Sequence, residues 1–318
     1  MPGRPELRLL VTGGAGFIGS HIVEEAVREG LEVIVVDDLS SGSPSNLPPG
    51  VKLVRADVSD RSQLAAVEAM LRGDDVEVAH LAAVSSVPEA MEDPSRVVRV
   101  NVLGTEEVLE LARRLDAHVT IASSAAVYGD PSELPLKETS PVRPKSLYGL
   151  TKLFDEQLAQ QAYRDYGLRY SALRLFNVYG PRMRRGPYAS VVYNFITAAI
   201  AGARPVIYGD GSATRDFVYV KDVAMAFLLA ASRRAVGVFN IGSGVETSVI
   251  ELLRLVSKVS GVQLEPQFAP PRPGDVSRSF ADVSLAREAL GWEPRTPLEE
   301  GLRATYNYLR SQAPATPS

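Results

Sequence analysis

The sequence predicts an α/β fold, a doubly wound parallel sheet with a smaller C-terminal α/β lobe. Three observations carry this. Short apolar runs alternate with amphipathic stretches from residue 7 to residue 175. A glycine-rich turn joins the first apolar run to the first amphipathic stretch. After Gly180-Pro181 the texture changes: glycine and proline become frequent and the strand-like runs shorten. Apolar runs that lack polar alternation read as strands covered on both faces, the pattern of a parallel sheet between helical layers.

Taken in order, residues 7–11 form a strand that stops at glycines, and 17–28 a helix. Strands are predicted at 32–37, 51–54, 76–81, 119–122 and 169–175, and helices at 61–71, 95–115 and 147–166. Beyond residue 180 the pattern predicts helices at 190–201 and 221–231 and a strand at 238–241. That late strand follows a helix in the βαβ manner, so a segment of about 206–242 is expected to return in part to the first domain. The division is then 1–180 for the sheet domain and 181–318 for the smaller lobe.

The chain of 318 residues is long enough for one large domain, or a domain and a lobe. An apolar content of 45% and a charged content of 23% are globular values. A net charge of −4 gives no argument for nucleic acid or an anionic membrane as a partner, since both call for basic patches. The longest apolar run, 223–231, is too short to span a bilayer. No secretory signal separates Met1 from the first strand, and the expected location is the cytoplasm. There is no cysteine, which removes disulfides and thiol catalysis. His21, His80 and His118 lie far apart without ligand spacing, so no metal site is expected.

Gly13, Gly16 and Gly19 stand in a G-x-x-G-x-x-G spacing between a strand and a helix. Their lack of side chains permits a tight turn and brings backbone N–H groups at a helix N-terminus against phosphate. Asp37 ends the second strand, at the place where an acidic residue accepts from the adenine ribose hydroxyls. Its carboxylate would repel a 2′-phosphate, so the cofactor is expected to be NAD rather than NADP. Asp57 follows the third strand and is a candidate for the adenine amino group, although an Asp there is also a frequent helix cap.

Tyr148 and Lys152 are four residues apart, on one helix face. A phenol is ordinarily protonated at neutral pH. An ammonium and a nicotinamide cation beside it favour phenolate, which suits a general base. The lysine is also placed to hold the cofactor ribose. Ser124, at the end of the fifth strand, is placed to hydrogen-bond the reacting oxygen. Together these motifs make the first domain an NAD-binding domain of Rossmann type.

With these motifs the chain resembles the extended short-chain dehydrogenases/reductases, in their NAD-dependent nucleotide-sugar epimerase/dehydratase branch. The likeness runs nearly the whole length. It includes Asp37-Asp38-Leu39-Ser40-Ser41-Gly42, His80-Leu81-Ala82-Ala83, Asn101-Val102-Leu103-Gly104-Thr105 and Ser123-Ser124-Ala125-Ala126-Val127-Tyr128-Gly129. It continues through Arg174-Leu175-Phe176-Asn177-Val178-Tyr179-Gly180-Pro181, Gly209-Asp210-Gly211-Ser212-Ala213-Thr214-Arg215-Asp216-Phe217 and Arg272-Pro273-Gly274-Asp275. The resemblance implies that Phe17, Ile18, Asp38, Ser40, Ser41, Gly42, Val58, Leu81, Ala82, Ala83, Asn101 and Phe176 join the cofactor site. It implies that Asn177, Arg215 and Arg272 bind the nucleotide diphosphate and Asp275 its ribose. Guanidinium groups suit such phosphates. Ser85, Val192, Tyr208 and Ser279 complete the substrate set with Ser124 and Tyr148. Arg182-Met183-Arg184-Arg185 is also basic, but it reads as a solvated loop. The resemblance further implies a homodimer through the helices at 95–115 and 147–166, whose apolar periodicity is equally consistent with packing on the sheet.

For the reaction, the resemblance implies hydride removal from C4 of a hexose to give a 4-keto sugar. In the resembling dehydratases Asp-Glu follows the triad Ser/Thr, and decarboxylating relatives carry a carboxylate in the same stretch. Here Ala125 and Ala126 stand there, and neither can act as acid or base. The expectation is therefore return of the hydride to the other face: 4-epimerisation of a UDP-sugar, UDP-glucose to UDP-galactose. Ser85 stands where some epimerases have Lys. Ser279 stands where hexose-restricted ones have Tyr, which leaves room for an N-acetyl group. Competing readings are a UDP-glucuronate 4-epimerase, a dTDP- or GDP-sugar enzyme, a 4-reductase, or a non-catalytic NAD-sensing regulator. Such regulators typically lose the Tyr or the Lys, and both stand here.

Overall fold

A computed structural model describes residues 7–85, 87–183, 189–271 and 276–313. The strands are β1 Leu7–Thr12, β2 Glu32–Asp37, β3 Lys52–Arg55, β4 Asp75–His80, β5 His118–Ser124, β6 Tyr170–Leu175, β7 Asn177–Tyr179, β8 Val206–Tyr208, β9 Thr214–Arg215, β10 Phe217–Tyr219, β11 Gly237–Ile241, β12 Thr247–Ser248 and β13 Gln267–Ala269. Seven of them form one sheet in the order β11-β6-β5-β4-β1-β2-β3, with every pairing parallel. The register sets Thr12 between Val36 of β2 and His80 of β4.

The helices are α1 Phe17–Arg28, α2 Arg61–Leu71, α3 Val87–Glu92, α4 Pro94–Val97, α5 Gly104–Arg114, α6 Leu147–Tyr166, α7 Val191–Ala201, α8 Val220–Arg233, α9 Val249–Ser260, α10 Ser284–Leu290 and α11 Leu298–Ser311. Strand side chains alternate between faces, and the sheet has a core on each. Leu9, Val11, Val33 and Val35 pack with Ile22 and Val23 of α1 and Val223 and Phe227 of α8. Leu10, Ile34 and Val36 pack on the other face with Leu64 and Val67 of α2, Val108 of α5 and Ala159 of α6. Burial on both faces explains why these strands read as unbroken apolar runs. This is the doubly wound α/β fold the sequence predicts.

The smaller lobe has its own core, in which α7, α9 and α11 bring Phe195, Leu252 and Leu302 together. Ser190 caps α7 through Tyr193 N, and Ser248 and Glu251 form a capping box on α9. Strand β11 and helix α8 belong to the large sheet and its core, although they follow β8 to β10 in the chain.

Most predicted elements match within one or two residues. The exception is the helix expected as one regular pattern over 95–115. It is α4 and α5 joined by a π-helical segment, Val98–Leu103. Each π turn takes in extra residues and rotates the faces that follow, so a uniform helical period misses it.

Candidate active site

The chain crosses from β3 on one side of the sheet to β4 on the other, so β1 and β4 flank a topological switch point. Ligands of open α/β sheets bind in the crevice beyond the strand ends at such a point. There the structure has a cleft of about 1040 Å³, lined by residues from the ends of β1, β2, β4, β5 and β6 and from α1 and α6.

The turn after β1 is held to β2 by Gly13 N donating to Val36 O at 2.7 Å. Helix α1 starts from Gly16, which gives no side-chain cap, and its first turn carries no acidic residue. Its first N–H groups are therefore left for an anion. A Cβ on Gly19 would lie 2.2 Å from Gly13 O, so only glycine lets the helix begin this close to the turn.

Asp37 closes the cradle. Its Oδ2 accepts from Ala15 N at 2.9 Å and its Oδ1 from Leu39 N at 2.8 Å. Burial leaves this carboxyl above the ordinary carboxylate range, against the downward pull of the Leu39 and Ala15 N–H groups. A turn with free backbone donors and a carboxylate fixed at the tip of β2 fit NAD: the donors suit its diphosphate and the carboxylate its ribose diol.

Ser124 ends β5, where its Oγ accepts from Ala126 N at 3.2 Å in a 3₁₀ turn, Ala125–Val127. Helix α6 begins beside that turn, capped by Ser146, whose Oγ accepts from Gly149 N at 3.1 Å. A Cβ on Gly149 would lie 2.8 Å from Ala126 O. That close approach sets the first turn of α6 against the Ser124 turn, and Ser124, Tyr148 and Lys152 line one cleft. Lys152 is 3% exposed and donates to Asp155 Oδ2 at 3.0 Å. Burial pulls its ammonium down and the Asp155 and Tyr148 charges push it up, leaving it above the ordinary lysine range. It therefore carries its charge at neutral pH.

All the expected cofactor residues except Gly42 and Asn101 line this cleft. Gly42 sits behind it, where a Cβ would lie 2.9 Å from Ala15 C. Asn101 is fully buried in the π segment. Its Oδ1 accepts from Val84 N at 2.8 Å, and its Nδ2 donates to Val84 O at 3.1 Å and Thr151 Oγ1 at 3.0 Å. It thus ties the loop after β4 to α6 instead of facing the cleft. Asp57 lines the cleft and holds Ser59, while Asp60 is the cap of α2.

Of the expected substrate residues, Ser85, Ser124, Tyr148 and Asn177 line the cleft. Val192 does not: it is 1% exposed, in the core of the smaller lobe. Tyr208 is exposed on β8. Arg215 is partly buried on β9, donating to Thr214 O at 2.7 Å. Ser279 is partly buried beside Phe280, whose carbonyl accepts from Leu136 N. These last three lie outside the cleft lining. Arg272 and Asp275 fall outside the described residues.

The cleft also holds residues not expected there, among them Asn46, Arg182, Met183, Tyr308 and Gln312. The solvated loop expected at 182–185 is corrected at its first two positions, while Arg184 and Arg185 fall outside the described residues. Met183 is 4% exposed. Arg182 donates to Asn46 O at 2.9 Å and His21 Nδ1 at 2.9 Å and pairs with Glu24. Only the spacing of the chain in three dimensions brings these partners together, so no local sequence signal marks them.

The model of the NAD dependent epimerase/dehydratase family matches residues 9–242. The chain belongs to this family. It is an NAD-dependent enzyme. A putative UDP-glucose 4-epimerase of Methanocaldococcus jannaschii is 40% identical over 306 residues, 95% of this chain and 98% of the relative. UDP-glucuronic acid decarboxylase 1 of Arabidopsis thaliana is 37% identical over 98% of this chain and 71% of its own. Among solved structures, UDP-glucose 4-epimerase of Thermotoga maritima with UDP-glucose superposes at a TM-score of 0.91, with 39% identity and coverage of 96% of this chain and 99% of that one. UDP-N-acetylglucosamine 4-epimerase of Methanobrevibacter ruminantium, in complex with UDP-N-acetylmuramic acid, superposes at 0.92, with 36% identity over 97% of this chain and 100% of that one.

Proposed function

We propose that the enzyme inverts C4 of a UDP-hexose, interconverting UDP-glucose and UDP-galactose. The observation that carries this is the make-up of the turn at the end of β5. Ser124 reaches the cleft with Tyr148 and Lys152, and the next two residues are Ala125 and Ala126. The site can move a proton on and off one hydroxyl, but that turn offers no acid or base for elimination or decarboxylation. When bound, NAD supplies the hydride acceptor for C4 and returns the hydride. Tyr148 takes the proton of the C4 hydroxyl while Ser124 hydrogen-bonds the same oxygen. Lys152 holds positive charge beside the phenolate. After the 4-keto sugar presents its other face, Tyr148 gives the proton back, and no net redox change results.

In this reading residues 1–180, with the returning segment of about 206–242, hold NAD, and 181–318 hold the nucleotide sugar. The likeness to a UDP-N-acetylglucosamine 4-epimerase supports UDP-GlcNAc and UDP-GalNAc as further substrates. Leu103 of the π segment and Leu150 and Phe154 of α6 are exposed apolar residues, which supports a homodimer through these helices.

The test is incubation of purified protein, without added NAD, with UDP-glucose and with UDP-GlcNAc, resolved by NMR. The C4 epimers are expected as the products. Tyr148→Phe should lower turnover by about 10²–10⁴-fold, the range of a lost general acid–base. A 4-keto end product from these sugars, a decarboxylated product when UDP-glucuronate is supplied instead, or full activity in Tyr148→Phe, overturns the reading.

A further inference from the structure

Helix α6 carries Tyr148, Lys152 and Asp155 at i, i+4 and i+7, which places all three along one stripe of its surface. The lysine is thus flanked by a phenol one turn before it and a carboxylate one turn after it. Asp155 is fully buried and its Oδ2 lies 3.0 Å from Lys152 Nζ. Nothing in the proton transfer described above uses this carboxylate.

Burying a carboxylate is costly unless it is paired, so the groups around the pair decide what it does. On α6 the other neighbouring anion is Glu156. It is committed elsewhere: Arg174 Nε and Nη2 donate to it at 2.9 and 2.7 Å, and Ser123 Oγ donates to it at 2.5 Å. From β4 the nearest titratable group is His80, held between Thr12 Oγ1 at 2.7 Å and Thr105 Oγ1 at 3.0 Å. Burial, and then the Lys152 charge, bring His80 down to about 3, so it is neutral throughout the working range. From α5 the group facing Asp155 is the Thr105 hydroxyl; burial leaves the Asp155 carboxyl above the ordinary carboxylate range, against the downward pull of the Lys152 ammonium and of that hydroxyl. Among these neighbours Asp155 is the one carboxylate set directly against the ammonium.

We propose that Asp155 is a positioning residue for the proton-transfer step: its buried carboxylate holds the Lys152 ammonium and takes up part of the charge that Lys152 would otherwise exert on Tyr148. The phenol then ionises less readily than a bare Tyr–Lys pair would, which keeps it able to return its proton to the sugar oxygen in the second half of the cycle. The inference rests on the proposed role of Tyr148 as proton carrier.

The experiment compares wild type with Asp155→Asn, which keeps an oxygen acceptor for Lys152 Nζ and removes the charge. Both proteins are NAD-loaded. Two readouts are taken: the tyrosinate absorbance titration, with the Tyr148→Phe protein subtracted, and the pH profile of kcat for UDP-glucose. With the carboxylate gone, phenolate is favoured, so the Tyr148 titration midpoint and the acid limb of kcat should both move down by about one pH unit. A midpoint that stays put, or moves up because Asp155 mainly keeps the lysine protonated, overturns the proposal. A purely structural role would lower stability and rate without moving the midpoint, and that result also overturns it. Asp155→Ser removes the same charge with a smaller side chain; it should shift in the same direction and serves if the Asn variant does not fold. The absorbance titration needs no sugar. A shifted midpoint in a protein that leaves UDP-glucose unchanged would count against the substrate assignment and not against Asp155.

Discussion

At the scale of single residues, what was legible was whatever chemistry leaves no substitute. Gly13, Gly16 and Gly19 were legible as the tight turn between β1 and α1 from their spacing and their place between a strand and a helix, because a turn that points its backbone donors outward at a helix start excludes side chains. The structure gives the reason at Gly19. An added Cβ would lie 2.2 Å from Gly13 O and 2.8 Å from Gly14 Cα, both rigid backbone atoms. Gly19→Ala should therefore force the helix start away from the turn. We expect a loss of about 1–3 kcal/mol in stability, the range of overpacking, together with weakened NAD binding. Denaturant unfolding and titration with NAD measure the two, and an Ala variant that binds NAD normally would contradict the account. Asp155 was not legible in the same way. In the sequence it is one more acidic residue of an amphipathic helix, and only its full burial against Lys152 sets it apart.

Elements were legible where one period governs them. Burial on both sheet faces makes the strands continuous apolar runs, and α1, α2 and α6 were found with the bounds the sequence predicts. The π segment was hidden because it breaks the period, and with it the place of Asn101 inside the helix instead of at the cleft. Neighbouring elements are also joined by a polar link that the pattern does not show. Arg174 of β6 meets Glu156 of α6 in a two-bonded ion pair, and its guanidinium lies 4.8 Å from the centre of the Tyr128 ring. Both partners are about 5% exposed. Breaking such a pair leaves a buried charge without its partner, whereas replacing both partners with apolar side chains is often neutral. Arg174→Met should cost about 3–5 kcal/mol of unfolding free energy, and Arg174→Met with Glu156→Leu clearly less. Equal losses in the single and double variants, read by denaturant unfolding, would mean that packing and not charge accounts for this site.

At the scale of the whole molecule, the cleft is closed by parts of the chain that no local reading joins. Arg182 follows β7, yet its side chain reaches Glu24 and His21 of α1 and the carbonyl of Asn46, which lines the cleft. Its guanidinium can only donate, so His21 Nδ1 must accept and Nε2 must carry the hydrogen donated to Pro181 O at 2.9 Å. Burial, and then the Arg182 charge, hold His21 at about 4, which keeps that neutral form across the physiological range. The basic run at 182–185 invites a reading as solvated surface because net charge and composition describe the average residue, and Arg182 is not average: it spans the segment after β7, α1 and the loop bearing Asn46. Arg182→Gln would remove the charge facing Glu24 and loosen the Asn46 loop over the cofactor cleft. Binding to the folded state raises apparent stability in proportion to the logarithm of ligand over Kd, so the NAD-dependent rise in Tm reports this directly. We expect the Kd for NAD to rise about tenfold, equivalent to about 1.4 kcal/mol, with a correspondingly smaller Tm rise at a fixed NAD concentration. If the variant melts earlier without NAD but gains the same increment when NAD is added, Arg182 supports the fold alone and has no part in closing the cofactor site.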